Sequence, residues 1–248
     1  MGDRNTQEQQ LDTLEWASSY RGNALGLVSP LSISQVKERY SDILKMYFAL
    51  SGLSRSKSAP QHMVKKAYAK VFGVRVRIER AIRITLLNAL EQDQTSFDAL
   101  FHGRFFGKSK KQGISVRAPL STCTPTKLCA AACYAHDVLD AAPYSVIRGT
   151  INGVIAELFE SGTEEIRARI IMRMDRHIKD AITYAQNEAR KVPGDWKRKA
   201  RIRFSHVGEI AAFPDFANAL ANEIVMQSSG EVLPVIYTRH PNASKLDP

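Results

Sequence analysis

Cysteine is scarce in this chain, with three in 248 residues. So low and odd a count excludes the disulfide framework that staples small secreted domains. No run of eighteen apolar residues occurs, so no transmembrane helix and no membrane partner are predicted. The opening Met-Gly-Asp-Arg-Asn-Thr-Gln-Glu-Gln-Gln has no apolar core and is no signal peptide. Together these point to a cytoplasmic protein whose thiols stay reduced and able to ligate a metal. The basic, glycine-bounded stretch Gly107-Lys-Ser-Lys-Lys-Gln-Gly113 lacks the G-x-x-x-x-G-K-[ST] order and reads as a loop, not a phosphate loop. No Ser-His-Asp set or paired-carboxylate spacing can be assembled, so the catalytic residues are unknown. Asp137 and Asp140 are too weakly placed to act as general acids or bases.

Where cysteine does occur, it is concentrated. Cys123, Cys129 and Cys133 fall within Ser121-Thr-Cys-Thr-Pro-Thr-Lys-Leu-Cys-Ala-Ala-Ala-Cys-Tyr-Ala-His136. An iron–sulfur cluster or a soft metal needs several thiolates within one site's width, and a short loop supplies them. Three readings are open: an iron–sulfur cluster on the three cysteines, a Cys₃His zinc site with His136 as fourth ligand, or cysteines that simply pack. A helix starting near Cys129 or Cys133 would turn its N-terminal amides towards the thiolates and favour either metal.

An apolar share of 44% and a charged share of 24% are those of a globular protein, so the chain is long enough for one large or two small folded units. Bases exceed acids by 35 to 25, for a net charge of +10. They are dense from Arg55 to Arg83, where Arg55, Lys57, Lys65, Lys66, Lys70, Arg75, Arg77, Arg80 and Arg83 face Glu79 as the only acid. A second cluster is Trp196-Lys-Arg-Lys-Ala-Arg201. Such stripes attract phosphate backbones, which makes nucleic acid a candidate partner through Arg55–Arg83; the competing reading is a solvated surface.

Hydrophobic spacing predicts helices over 6–20, 31–50, 143–159, 163–191 and 213–226. In 31–50, Ser32 or Ser34 can cap, and Val36, Tyr40, Ile43, Leu44, Tyr47 and Phe48 share a face. In 163–191, Ile166, Ile170, Met174, Ile178, Ile182 and Ala185 do so. Residues 61–91 are ambiguous. Helical spacing to Phe72 gives way to the strand-like Val74-Arg-Val-Arg-Ile78 and then to helical spacing again, and Gly73 invites comparison with a helix-turn-helix. Glu79 stands where that motif expects an apolar residue. Residues 95–105 read as a short helix or loop. Strands are predicted at 114–118, 201–207 and 231–238. The predicted fold class is α/β: a helical, basic N-terminal region over 1–112, then a βα unit over 113–248 with a parallel sheet and right-handed crossovers.

Two resemblances rest on these residues. A strand, a cysteine loop ending in Cys-Tyr-Ala, a helix, a second strand, then Gly208-Glu209 and a helix is an order similar to the start of a radical S-adenosylmethionine barrel. Phe204-Ser-His-Val-Gly208-Glu209-Ile-Ala-Ala-Phe213-Pro-Asp215-Phe216 resembles its second-strand region. The closer resemblance is to the phage "gene product 88" family. It is carried by Thr122-Cys123-Thr-Pro125, Cys129-Ala-Ala-Ala-Cys133-Tyr134-Ala135, Arg201-Ile202 leading to Gly208-Glu209, and Tyr237-Thr238-Arg239. It covers roughly residues 113–242, and residues 1–112 match no named family.

The resemblance implies a four-iron four-sulfur cluster on Cys123, Cys129 and Cys133. It also implies S-adenosylmethionine as a second cofactor, its amino group met by Gly208 and Glu209. The cysteine spacing is wider than usual, five and three intervening residues instead of three and two, yet three thiolates still leave one iron open. The chain ends soon after its third predicted strand, too early for a six-stranded barrel. The expectation is a partial sheet, truncated at the C-terminus or covered by the N-terminal helices, with an exposed edge. The alternatives to a radical enzyme are a nucleic-acid-binding protein with a structural zinc or iron–sulfur clip and a decayed relative without activity. His206, Tyr134 and Tyr237 read as packing residues before cofactor contacts.

Overall fold

A computed structural model describes residues 35, 38, 40, 61–92, 96–109, 113–123, 143–191, 200–204, 208–236, 238 and 240–246. The chain forms two compact units, one of Met1–Ser96 with Pro119–Ile151, the other of Phe97–Ala118 with Asn152–Pro248.

The first unit is dominated by helix α1, Gln61–Gln92. The strand-like reading of 74–78 and the helix-turn-helix reading are both corrected, because α1 runs unbroken through Gly73. Its buried stripe is Arg75, Ile78, Glu79, Ile82, Leu86 and Ala89, a helical spacing throughout. Two members of the stripe are charged, so the sequence pattern hides it. Within the predicted 31–50 helix, Gln35, Glu38 and Tyr40 are helical. Tyr40 is buried, and its hydroxyl lies 3.2 Å from Thr85 Oγ1 on α1. The predicted 6–20 helix lies outside the described residues.

The second unit is a four-stranded sheet. It begins after a single turn of helix, α2 (Ser96–Ala99). Strands β1 (Phe106–Ser109) and β2 (Gly113–Val116) pair antiparallel, with Phe106 opposite Val116. Then come helix α3 (Pro143–Ser161), of which residues 152–161 belong to this unit, helix α4 (Glu164–Arg190), strand β3 (Ala200–Phe204), helix α5 (Pro214–Gln227) and strand β4 (Val232–Ile236). The spatial order is β1-β2-β3-β4, with β2, β3 and β4 parallel. The expected wholly parallel sheet is therefore mixed. The stretch taken as a basic loop supplies β1, whose Gly-Lys-Ser carries no β-branched residue to announce a strand. The sheet's far edge is β4, where Pro234 is tolerated because an edge strand has ladder positions to spare.

Helix α4 covers β2, β3 and β4 and also touches α5. It buries Ile170, Met174, Ile178, Ala181, Ile182 and Ala185, and its N-cap Thr163 accepts a bond from Ile166 N–H. The α3–α4 corner requires Gly162, since a Cβ there would sit 2.3 Å from the Leu158 carbonyl oxygen. At the start of α5, Pro214 needs no N–H partner, and the Phe216 N–H donates to Glu160 Oε1 at 3.0 Å. Phe216 stacks edge-on against Phe105 and Phe159 in the core. On α3, Asn152 is fully buried, and its Nδ2 donates to both Arg117 O (2.9 Å) and Phe105 O (3.1 Å). One amide thus ties together the two chain segments that flank the open end of the β1–β2 hairpin. Among the described residues no helix is long and apolar enough to cross a membrane.

Candidate functional site

In a parallel sheet, ligands bind beyond the carboxyl ends of the strands, where loops and helix starts converge. Here β3 ends at Phe204 and is soon followed by Gly208 and Glu209. Gly208 is buried with φ +70°, a left-handed conformation that costs glycine little and other residues more. Glu209 is half-buried and extended, at the N-cap of a 3-10 turn, Ile210–Ala212.

The Glu209 carboxylate is held by the segment that follows β4. The Thr238 hydroxyl donates to Glu209 Oε2 at 2.7 Å. The same hydroxyl oxygen accepts from the His240 N–H at 2.9 Å, and His240 Nδ1 accepts from the Asn242 N–H at 3.2 Å. This accounts for the rotor of Thr238: its proton goes to Glu209 because its oxygen is engaged by a donor. His240 Nδ1 must be unprotonated to accept, so the ring proton of the neutral imidazole lies on Nε2. The arrangement presents an oriented carboxylate beside a glycine backbone, able to accept hydrogen bonds from an ammonium group.

Thr238 was named in the sequence only as part of a family-like strand end. It stands 29 positions from Glu209, and nothing local in the sequence links the two. A small cavity of about 230 Å³ opens between α5 and the last two strands, lined among others by Phe204, Ile236, Ala217, Asn218 and Leu233. Phe204 and Ile236 are the last residues of β3 and β4.

In the first unit, the chain enters a short 3-10 turn, Leu120–Thr122, capped at its C-terminal end by Cys123. Cys123 is half-buried and in no disulfide. The turn is seated on α1. Glu79 Oε2 accepts from the Ser121 N–H at 2.8 Å. Glu79 Oε1 accepts from Arg75 Nε at 3.0 Å, in an ion pair whose side chains are 1% and 0% exposed. Burial raises the Glu79 carboxyl above the ordinary carboxylate range, against the opposing pull of the Arg75 guanidinium and the Ser121 amide. The sequence flagged Glu79 as the only acid in a basic stretch and as a misfit to a helix-turn-helix; the further usable signal was an Arg–Glu pair at i, i+4 within an apolar stripe.

A half-buried thiol outside any disulfide, at the end of a hydrogen-bonded turn, fits the role of one thiolate ligand. Cys129, Cys133, His136, His206, Tyr134, Tyr237, Asp137 and Asp140 lie outside the described residues. Among the described residues no three His, Cys, Asp or Glu side chains come together as a metal site.

The basic stretch Arg55–Arg83 divides on inspection. Arg75 is turned inward to Glu79, so its charge is not part of any outward-facing stripe. Arg80 is exposed, while Arg77 and Arg83 are half-buried. Arg55 and Lys57 lie outside the described residues. Comparison with protein-family models, curated proteins and solved structures finds no match for the chain.

Proposed function

We propose that the chain is an iron–sulfur-cluster-binding protein of radical S-adenosylmethionine type, with Cys123, Cys129 and Cys133 as cluster ligands and Gly208–Glu209 as the cofactor's amino-group site. The observation that carries the reading is the oriented Glu209 carboxylate, fixed by Thr238 beside a left-handed glycine just beyond a parallel strand. Strand β2, the parallel neighbour of β3, leads in the chain to the cysteine turn. A bound cluster with one open iron would supply the electron for reductive cleavage of the sulfonium.

The protein's own residues have simpler tasks in this reading. Glu209 accepts hydrogen bonds from the ammonium group. Gly208, without a Cβ, lets the cofactor approach the backbone. Thr238 keeps the carboxylate aimed. The three cysteines hold the cluster in a reducing compartment.

Equilibrium binding of S-adenosylmethionine to the cluster-loaded chain tests this. Glu209→Gln should weaken binding about ten- to a hundredfold, the worth of a charge-assisted hydrogen bond. Thr238→Val should weaken it less, because it loosens the carboxylate without removing it. Equal affinity in parent and Glu209→Gln would overturn the assignment. A zinc-loaded parent that ignores S-adenosylmethionine and binds nucleic acid with a steep salt dependence would replace it with a binding module.

A further inference from the structure

The Arg75–Glu79 pair is an odd feature for the core of a helix packing surface. Two charges taken fully out of water are costly, and apolar residues of similar volume commonly serve stability as well or better. What apolar residues cannot do is accept backbone hydrogen bonds. Glu79 accepts one, from Ser121, in the opening half of the turn that ends in Cys123. The next two amides of that turn close on themselves: Thr122 N–H to Pro119 O at 3.1 Å and Cys123 N–H to Leu120 O at 3.0 Å. The Thr122 hydroxyl adds a bond to Pro119 O at 2.7 Å. Every N–H from Ser121 to Cys123 therefore has its partner. The Ser121 N–H, which the turn does not satisfy internally, is taken by the Glu79 carboxylate, which Arg75 in turn holds.

We infer that Glu79, held by Arg75, is a positioning residue for Cys123, fixing the turn that presents the first thiolate of the cysteine loop. What Cys123 binds rests on the cluster reading above; what holds it rests on the geometry of α1 and the turn alone. The pair explains why Glu79 interrupts a basic stretch and why it is buried: its work is done on the backbone of a segment 42 positions away.

The test uses the full-length chain with Cys129→Ser and Cys133→Ser, so that Cys123 is the only thiol. Alkylation by iodoacetamide under native conditions then reports how often the turn opens. Two double variants share the loss of the arginine and differ only in the acceptor, Arg75→Met with Glu79→Leu and Arg75→Met with Glu79→Gln. Opening of a turn stripped of its charge-assisted bond to Glu79 should speed Cys123 alkylation about tenfold or more in the Leu variant, and the Gln variant should recover most of the parent's protection. In the three-cysteine chain, reconstituted iron content and the cluster's absorption should fall in the Leu variant and not in the Gln variant.

Equal alkylation rates in parent, Leu and Gln variants would overturn the inference. If the Leu variant fails to fold, hydrogen exchange in the parent decides: the Ser121 amide must be protected like those of Thr122 and Cys123, and free exchange at Ser121 overturns it. A parent that takes up no iron while the thiol rates still separate would defeat the cluster reading and leave the positioning role standing.

Discussion

Replacing Asn152 should loosen the strand that leads into the cysteine turn. The residue is fully buried on α3, and its single NH₂ group satisfies two backbone carbonyls, Arg117 O at 2.9 Å and Phe105 O at 3.1 Å. Those carbonyls flank the register pair Phe106–Val116, so the amide closes the open end of the β1–β2 hairpin. Asn152→Ala takes this donor from the buried Phe105 carbonyl and from the part-buried Arg117 carbonyl. At about 1–3 kcal/mol for each stranded polar group, and allowing for some relaxation or water entry, the expected cost is about 2–5 kcal/mol. Asn152→Leu removes the donor without opening a hole and should cost a similar amount; this separates the hydrogen bonds from the volume. Asn152→Asp should be at least as damaging, because it sets a carboxylate against two carbonyl oxygens. Urea unfolding gives the free energies, and native-state hydrogen exchange should show faster exchange at the β1–β2 amides than at β3–β4. Ala and Leu variants within about 0.5 kcal/mol of the parent, the range of an inconsequential surface change, would refute the reasoning.

Two further outcomes follow from the sheet unit. Ile178, fully buried on the α4 face that covers the parallel strands, should cost about 2–5 kcal/mol when truncated to Ala, measured by thermal or urea unfolding; a cost under about 1 kcal/mol would mean that the face is not packed as described. Burial raises the Glu160 carboxyl above its ordinary 4.5 and Asp215 pushes the same way, while the Phe216 N–H and Arg167 pull it down. A carboxyl that titrates higher folded than unfolded stabilises fully below its unfolded value and loses that contribution as pH rises through its folded value. Glu160→Gln keeps an acceptor for Phe216 and removes the titration. Its stability relative to the parent should therefore improve as pH climbs from about 4 to 7, and a relative decline would contradict the assignment.

The elements most legible in the sequence were those whose buried positions are apolar. The α4 stripe from Ile170 to Ala185 was readable because all the buried residues on that face are aliphatic, Ala or Met. Strands β2, β3 and β4 and helix α5 announced themselves by alternation and by Pro214 at a helix start. Helix α1 misled because Arg75 and Glu79 occupy core positions while looking like surface residues, which turned a helical stripe into an apparent alternation at Val74-Arg-Val-Arg-Ile78. Strand β1 was invisible because pairing with β2, not its own Gly-Lys-Ser, makes it a strand. Asn152 offered a faint signal, a polar residue amid Ile151, Val154 and Ile155. At the strand ends, Gly208–Glu209 could be picked out as a glycine–acid pair after a strand. Its partner Thr238 could not, because the contact is made by the sheet bringing β3 and β4 side by side.

The central claim is that three cysteines hold an iron–sulfur cluster, and purification without oxygen followed by metal and sulfide analysis with an absorption spectrum tests it most directly. The account predicts a brown protein absorbing broadly near ~400 nm with ~4 irons per chain, both lost in Cys123→Ala. A colourless protein holding a single zinc, or one that takes up no metal even after reconstitution, would contradict it.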